Sequence, residues 1–107
     1  MTVNEYHGLA MRTAPKLDVD PMLIDAVLGL TREAGEVADL VKKAYYQGHD
    51  LDLEAIMKEL GDVAWYIALA CQALGVGMEE VLKMNIEKLE NRYPYGFDAS
   101  MSRNRTE

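Results

Sequence analysis

Residues 58–77, KELGDVAWYIALACQALGVG, decide how this chain folds. From Val63 to Leu74 only Gln72 is polar, so a helix here is apolar around nearly its whole circumference. Such a helix wants neighbours on every side. Its unbroken apolar run, Val63 to Cys71, is too short to span a bilayer, so those neighbours must be protein.

Working outward, this helix starts after Asp52, with Glu54 in its first turn, and ends near Gly75 or Gly77. Before it, a long helix is expected from "DP", with Asp20 as N-cap and Pro21 at the first helical position, to Gly48. At about 1.5 Å per residue that helix is some 40 Å long. A short helix is expected over residues 3–13, ending before Pro15, and a fourth from Met78 to about Arg92, closed by Pro94. Strand signals are almost absent. Short Gly-containing connections between long helices imply antiparallel neighbours. The expected fold is therefore all-α, an antiparallel bundle of about four helices per chain. Three other helices, one of them short, do not cover an all-round apolar helix, so oligomerisation is expected to complete the bundle, as a dimer or a dimer of dimers.

Length and composition agree. At 107 residues the chain is one domain, 1–107, with its core over about 20–92 and an irregular C-terminal tail over 93–107. A chain this short buries only about 60–70% of its unfolded surface, which makes assembly a plausible aid to stability. Half its residues are apolar, which argues against disorder. A net charge of -7 disfavours a nucleic acid polymer as partner, though not a small phosphorylated ligand approached through a metal. The single cysteine, Cys71, excludes an internal disulfide and a Cys-rich zinc site. With no basic-then-apolar leader at the N-terminus and no membrane span, a cytoplasmic protein is expected.

Function is signalled by carboxylates in the wrong place. On the second helix, the positions three, four and seven away from Glu33 are Leu30, Gly29, Ala26, Glu36, Val37 and Leu40, a mostly apolar column. On the third, Glu59 lies beside Ile56 and Val63, and Asp62 beside Trp65 and Tyr66. One acidic pair at three-residue spacing would be read as a solvated face. Two such pairs, on consecutive helices and 22 residues apart, can face each other across the hairpin turn. Four converging carboxylates repel one another unless a cation lies between them. All-oxygen coordination points to Mg²⁺, with Mn²⁺ as second choice, and Mg²⁺ usually marks a phosphate-bearing substrate. A di-iron carboxylate site would want Glu-x-x-His on two helices, and the third position after Glu33 and Glu59 is never His. Mid-helix Gly35 and Gly61 imply close approach, either of a ligand or partner helix or simply of tightly packed helices.

"EAGE", 22 residues, "ELGD" and then "NIEKLENRYPYGF" together resemble the Glu-x-x-Glu…Glu-x-x-Asp signature and closing motif of the MazG-like all-α nucleotide pyrophosphohydrolases, over residues 20–98. The resemblance implies that Glu33, Glu36, Glu59 and Asp62 are Mg²⁺ ligands, and that Asn85, Lys88 and Arg92 contact nucleotide phosphates. It implies hydrolysis of a nucleoside triphosphate between the α and β phosphates, giving a monophosphate and pyrophosphate. With a single copy of the motif, any two-site assembly must come from subunits. Such chemistry needs charge neutralisation and an aligned water rather than a covalent nucleophile. Glu36 is the carboxylate expected to accept the water's proton as general base. Lys88 and Arg92, four apart, share one face and can meet phosphate oxygens, or else pair with Glu87 and Glu90 on a solvated face. Alternatives are a dUTPase-like or phosphoribosyl-ATP-type substrate, or a non-catalytic helical oligomer that scaffolds a partner.

Overall fold

A computed structural model describes residues 1–103. Five helices follow in order: α1 Val3–Met11, α2 Val19–Tyr46, α3 Leu53–Leu74, α4 Met78–Arg92 and α5 Ala99–Arg103. Among the described residues there is no strand beyond one isolated bridge between Pro94 and Gly96. The fold is all-α, with the four expected helices and a short fifth inside the tail expected to be irregular. Asp98 starts α5 by accepting a hydrogen bond from the Ser100 N–H at 2.8 Å.

Helix ends follow local chemistry. Asp52 caps α3, its side chain accepting from Ala55 N at 3.0 Å. Gly75, at φ 72°, supplies the left-handed residue that ends α3. After α2, Gly48 at φ 73° does the same, letting the N–H groups of Gln47 and His49 both reach the Lys43 carbonyl at 3.1 Å. The start of α2 differs from expectation. Asp18, not Asp20, holds the cap position, and Pro21 sits inside the first turn. The first four N–H groups of a helix have no partner within it, so Pro21 removes no hydrogen bond there. Helix α1 ends at Met11 rather than near residue 13. Here the Ala10 carbonyl accepts from the Thr13 hydroxyl at 2.7 Å and the Trp65 indole at 3.2 Å, which ties the chain to α3 instead of continuing the helix.

Helices α2 and α3 form a long antiparallel hairpin, with Gly29 against Tyr66 and Glu33 near Glu59. Ala26 and Leu69 are fully buried between them. Helix α1 lies across α3 and the root of α4, closing a small core of Ala10, Ala68, Cys71 and Met78 with Tyr6 and Trp65 packed on it. Gly77 offers α4 no side-chain cap, and His7 supplies one from α1. Its Nδ1 accepts from Met78 N at 3.3 Å, which leaves Nε2 to donate to Gln72 Oε1 at 3.2 Å. Asn4 adds a hydrogen bond to Glu79 at 3.1 Å.

Only two helices therefore run side by side for their length. Helix α4 turns through 102° relative to α3 instead of folding back along it. The chain covers the second half of α3 better than its composition suggested. Uncovered apolar surface lies elsewhere, at Ile24 and Leu28 on α2, Met57 and Leu60 on α3, and Met84 and Ile86 on α4. No single helix among the described residues is long and apolar enough to cross a membrane.

Candidate metal centre

Midway along the hairpin, Glu33 of α2 meets Glu59 and Asp62 of α3. One carboxylate oxygen from each lies within 4.8 Å of the others. Glu33 keeps only 12% of its side chain exposed. Glu59 is half-buried, and its Oε2 is shut off from solvent with no hydrogen-bond partner. Asp62 is open to solvent. An orphaned buried oxygen within three carboxylates is what a hard divalent cation would satisfy, so the donor set fits Mg²⁺ or Mn²⁺. Glu36 lies outside this group of three, exposed one turn further along α2, though its charge still reaches Glu59.

The electrostatics follow from the crowding. A hydrogen bond with Glu33, then burial, then the negative charges of Glu33, Asp62 and Glu36 push Glu59 above the usual carboxylate range. The same hydrogen bond, together with Arg32, holds Glu33 below it. Crowding of like charges thus favours the neutral form of Glu59 and the ionised form of Glu33. From α1, the Tyr6 phenol is pushed up by burial and by the charge of Asp62, so the first helix borders this centre as well as capping α4.

Two contacts here went unseen in the sequence. Arg32 Nη2 lies 2.9 Å from Glu33 Oε1 and donates to Tyr66 Oη at 3.0 Å, with the guanidinium 5.9 Å from the centre of the Tyr66 ring. Gly29 makes that arrangement possible, because a Cβ there would collide with the Tyr66 ring. The available signal was position. Gly29 lies four residues before Glu33 and Tyr66 four after Asp62, so both share the faces that carry the carboxylates. Gly35 and Gly61, the glycines singled out from the sequence, face open space, with nothing within 4 Å of a built Cβ. Tight packing within the chain does not account for them.

Asn85, Lys88 and Arg92 are not brought to the carboxylates within one chain. Asp62 precedes the end of α3 by about 18 Å of helix, and α4 then departs at 102°, placing Lys88 some 20 Å away. Asn85 and Lys88 are exposed in a shallow depression with Met84, Glu87 and Asn91. Arg92 is half-buried, with its Nε unpartnered. Tyr93 and Phe97 pack ring to ring at 5.4 Å, while Tyr95 is fully exposed.

Two curated relatives are similar over 76 residues. The Gene 37 protein of Mycobacterium phage L5 is 40% identical, with 64% of each chain covered. The uncharacterized protein YvdC of Bacillus subtilis (strain 168) is 36% identical, with 62% of this chain and 71% of the relative covered. The chain thus matches just under two thirds of the length of the first, and neither name carries an activity. No solved structure matches. The model of the MazG nucleotide pyrophosphohydrolase domain matches residues 24–97, a span that contains both acidic pairs and α4. The chain belongs to the MazG nucleotide pyrophosphohydrolase domain family.

Proposed function

We propose that the protein is a Mg²⁺-dependent nucleoside triphosphate pyrophosphohydrolase, cleaving the α–β anhydride to give a nucleoside monophosphate and pyrophosphate. The observation that carries this reading is the buried, unpartnered Glu59 oxygen inside a three-carboxylate cluster of a MazG domain. Glu33, Glu59 and Asp62 would hold the cation. When bound, the cation supplies neutralisation of phosphate charge and a more acidic water. Glu36, outside the group of three, accepts the proton of the attacking water. As the water oxygen joins phosphorus, the bridging P–O bond breaks and pyrophosphate leaves. A cation held there would favour the ionised form of Glu59, offsetting the like-charge crowding that raises its pKa.

The working unit is a homo-oligomer, a dimer or a dimer of dimers, in the cytoplasm. Three observations support assembly. The radius of gyration is 16.9 Å, against about 13 Å for a compact chain of this length. The accessible surface is 7936 Å², against about 6,000 Å² for a folded monomer of this mass. Asn85, Lys88 and Arg92, on a helix that leaves α3 at 102°, are far from the carboxylates of their own chain, which favours a site completed by another copy.

Pyrophosphate release from a panel of nucleoside triphosphates with Mg²⁺ tests the reading. Metal-dependent release with a matching monophosphate is expected. Turnover of dUTP or phosphoribosyl-ATP alone would assign the narrower substrate. No release from any nucleotide would overturn the enzyme reading in favour of a helical scaffold.

A further inference from the structure

The residues that the family resemblance assigns to phosphate are far from the carboxylates in one chain, yet a positively charged side chain already stands beside them. Arg32 reaches from α2 to α3 and engages Glu33 Oε1 and Tyr66 Oη through one nitrogen, Nη2. Its Nη1 and Nε make no bond with any described residue, and 63% of its side chain is exposed. Three N–H donors, two on Nη1 and one on Nε, are thus left without a protein partner among the described residues, next to the three-carboxylate cluster. The Glu33 contact and the Tyr66 ring beneath it hold the guanidinium at that spot, which lowers the cost of ordering it around a ligand.

We propose that Arg32 grips the pyrophosphate portion of the nucleotide, donating from Nη1 while Nη2 stays on Glu33 and Tyr66. This rests on the metal-dependent reading of the carboxylates. A purely structural Arg32 would serve only to hold Glu33 in place. The two roles act oppositely on metal and phosphate. A positive group next to a cation site disfavours the cation, so its removal leaves metal binding equal or tighter. If Arg32 donates to phosphate, Arg32→Gln weakens a phosphorylated ligand by about 10- to 100-fold.

The experiment measures Mn²⁺ affinity by electron paramagnetic resonance, and affinity for an α,β-methylene nucleoside triphosphate in saturating Mn²⁺, for wild type, Arg32→Gln and Arg32→Lys. The expected result is Mn²⁺ affinity equal to or above wild type in both variants. Analogue affinity should fall about 10- to 100-fold in the glutamine variant, with the lysine variant between the two. Wild-type analogue affinity in Arg32→Gln overturns the proposal. So does a matching loss of Mn²⁺ affinity, which would make Arg32 a support for Glu33, and so does a lysine variant no better than glutamine. Wild type that binds no Mn²⁺ overturns the metal reading and this proposal with it, whereas the other failures overturn this proposal alone.

Discussion

At the scale of single residues, the opposed shifts of Glu59 and Glu33 make a two-part prediction. A carboxyl whose folded pKa is raised stabilises the fold below its unfolded pKa, and that stability is lost as pH rises through the folded value. For Glu59 this window lies above the usual carboxylate range; for Glu33, held low, the opposite loss occurs on acidification, below it. Metal-free wild type should therefore lose stability as pH rises above the usual carboxylate range, and Glu59→Gln should flatten that slope, as melting curves at several pH values will read. The same variant should lose most of the Mg²⁺-induced rise in melting temperature. In wild type that rise reflects about 2.7 kcal/mol at a hundredfold excess over Kd. A full Mg²⁺ shift in Glu59→Gln would mean that the carboxylates are not the metal site. What made Glu33, Glu59 and Asp62 visible beforehand was a charge recurring inside an apolar column, which helical periodicity alone exposes. Arg32 left no such trace, because which neighbours its long side chain meets depends on its rotamer and on the facing helix.

The glycines carry the argument to the scale of elements. Gly29 lets α2 lie against the Tyr66 ring, which is itself fixed by an edge contact to Trp65 at 5.0 Å and by Arg32. Gly29→Ala should destabilise the protein, since overpacking costs about 1–3 kcal/mol and outweighs a helix-propensity gain of about 1 kcal/mol. Gly35→Ala should do the reverse in the isolated chain and raise the melting temperature by a few degrees, because a Cβ there meets open space. If Gly35→Ala lowers stability instead, a second copy occupies that space. Sequence patterning located these helices well where a cap or a stop is chemical, as at Asp52, Gly75 and Met78. It missed the direction of α4, which no propensity encodes. That direction is held across the chain by His7 on the Met78 N–H and by Asn4 on Glu79. His7→Ala should cost about 1 kcal/mol, in line with loss of a helix cap, and amide exchange should rise first in the opening turn of α4.

For the molecule as a whole, the proposed function would place half of the chemistry at each of two places in a single chain. The carboxylates lie on the α2–α3 hairpin, while Asn85, Lys88 and Arg92 ride on a helix that leaves at 102°. The apolar side chains on α2 and α4 that stay uncovered, Leu28 at 67% and Met84 at 66%, are where another copy can bury surface. Light scattering should give at least twice the mass of one 12.0 kDa chain at micromolar concentration, and a monomer would sink the idea. A stricter test uses two dead variants. Glu59→Gln disables the carboxylates and Lys88→Ala the phosphate contact, so each homo-oligomer should be nearly inactive. In a two-fold mixed dimer whose sites each draw carboxylates from one copy and Lys88 from the other, one site collects both defects and its twin collects neither. Mixing the two variants under conditions of subunit exchange should thus restore pyrophosphate release. If each site were built within one chain, every site in the mixture would keep one defect and no activity would return. Co-purification of differently tagged variants establishes that exchange occurred, and mixed oligomers without activity would rule out a site shared between copies.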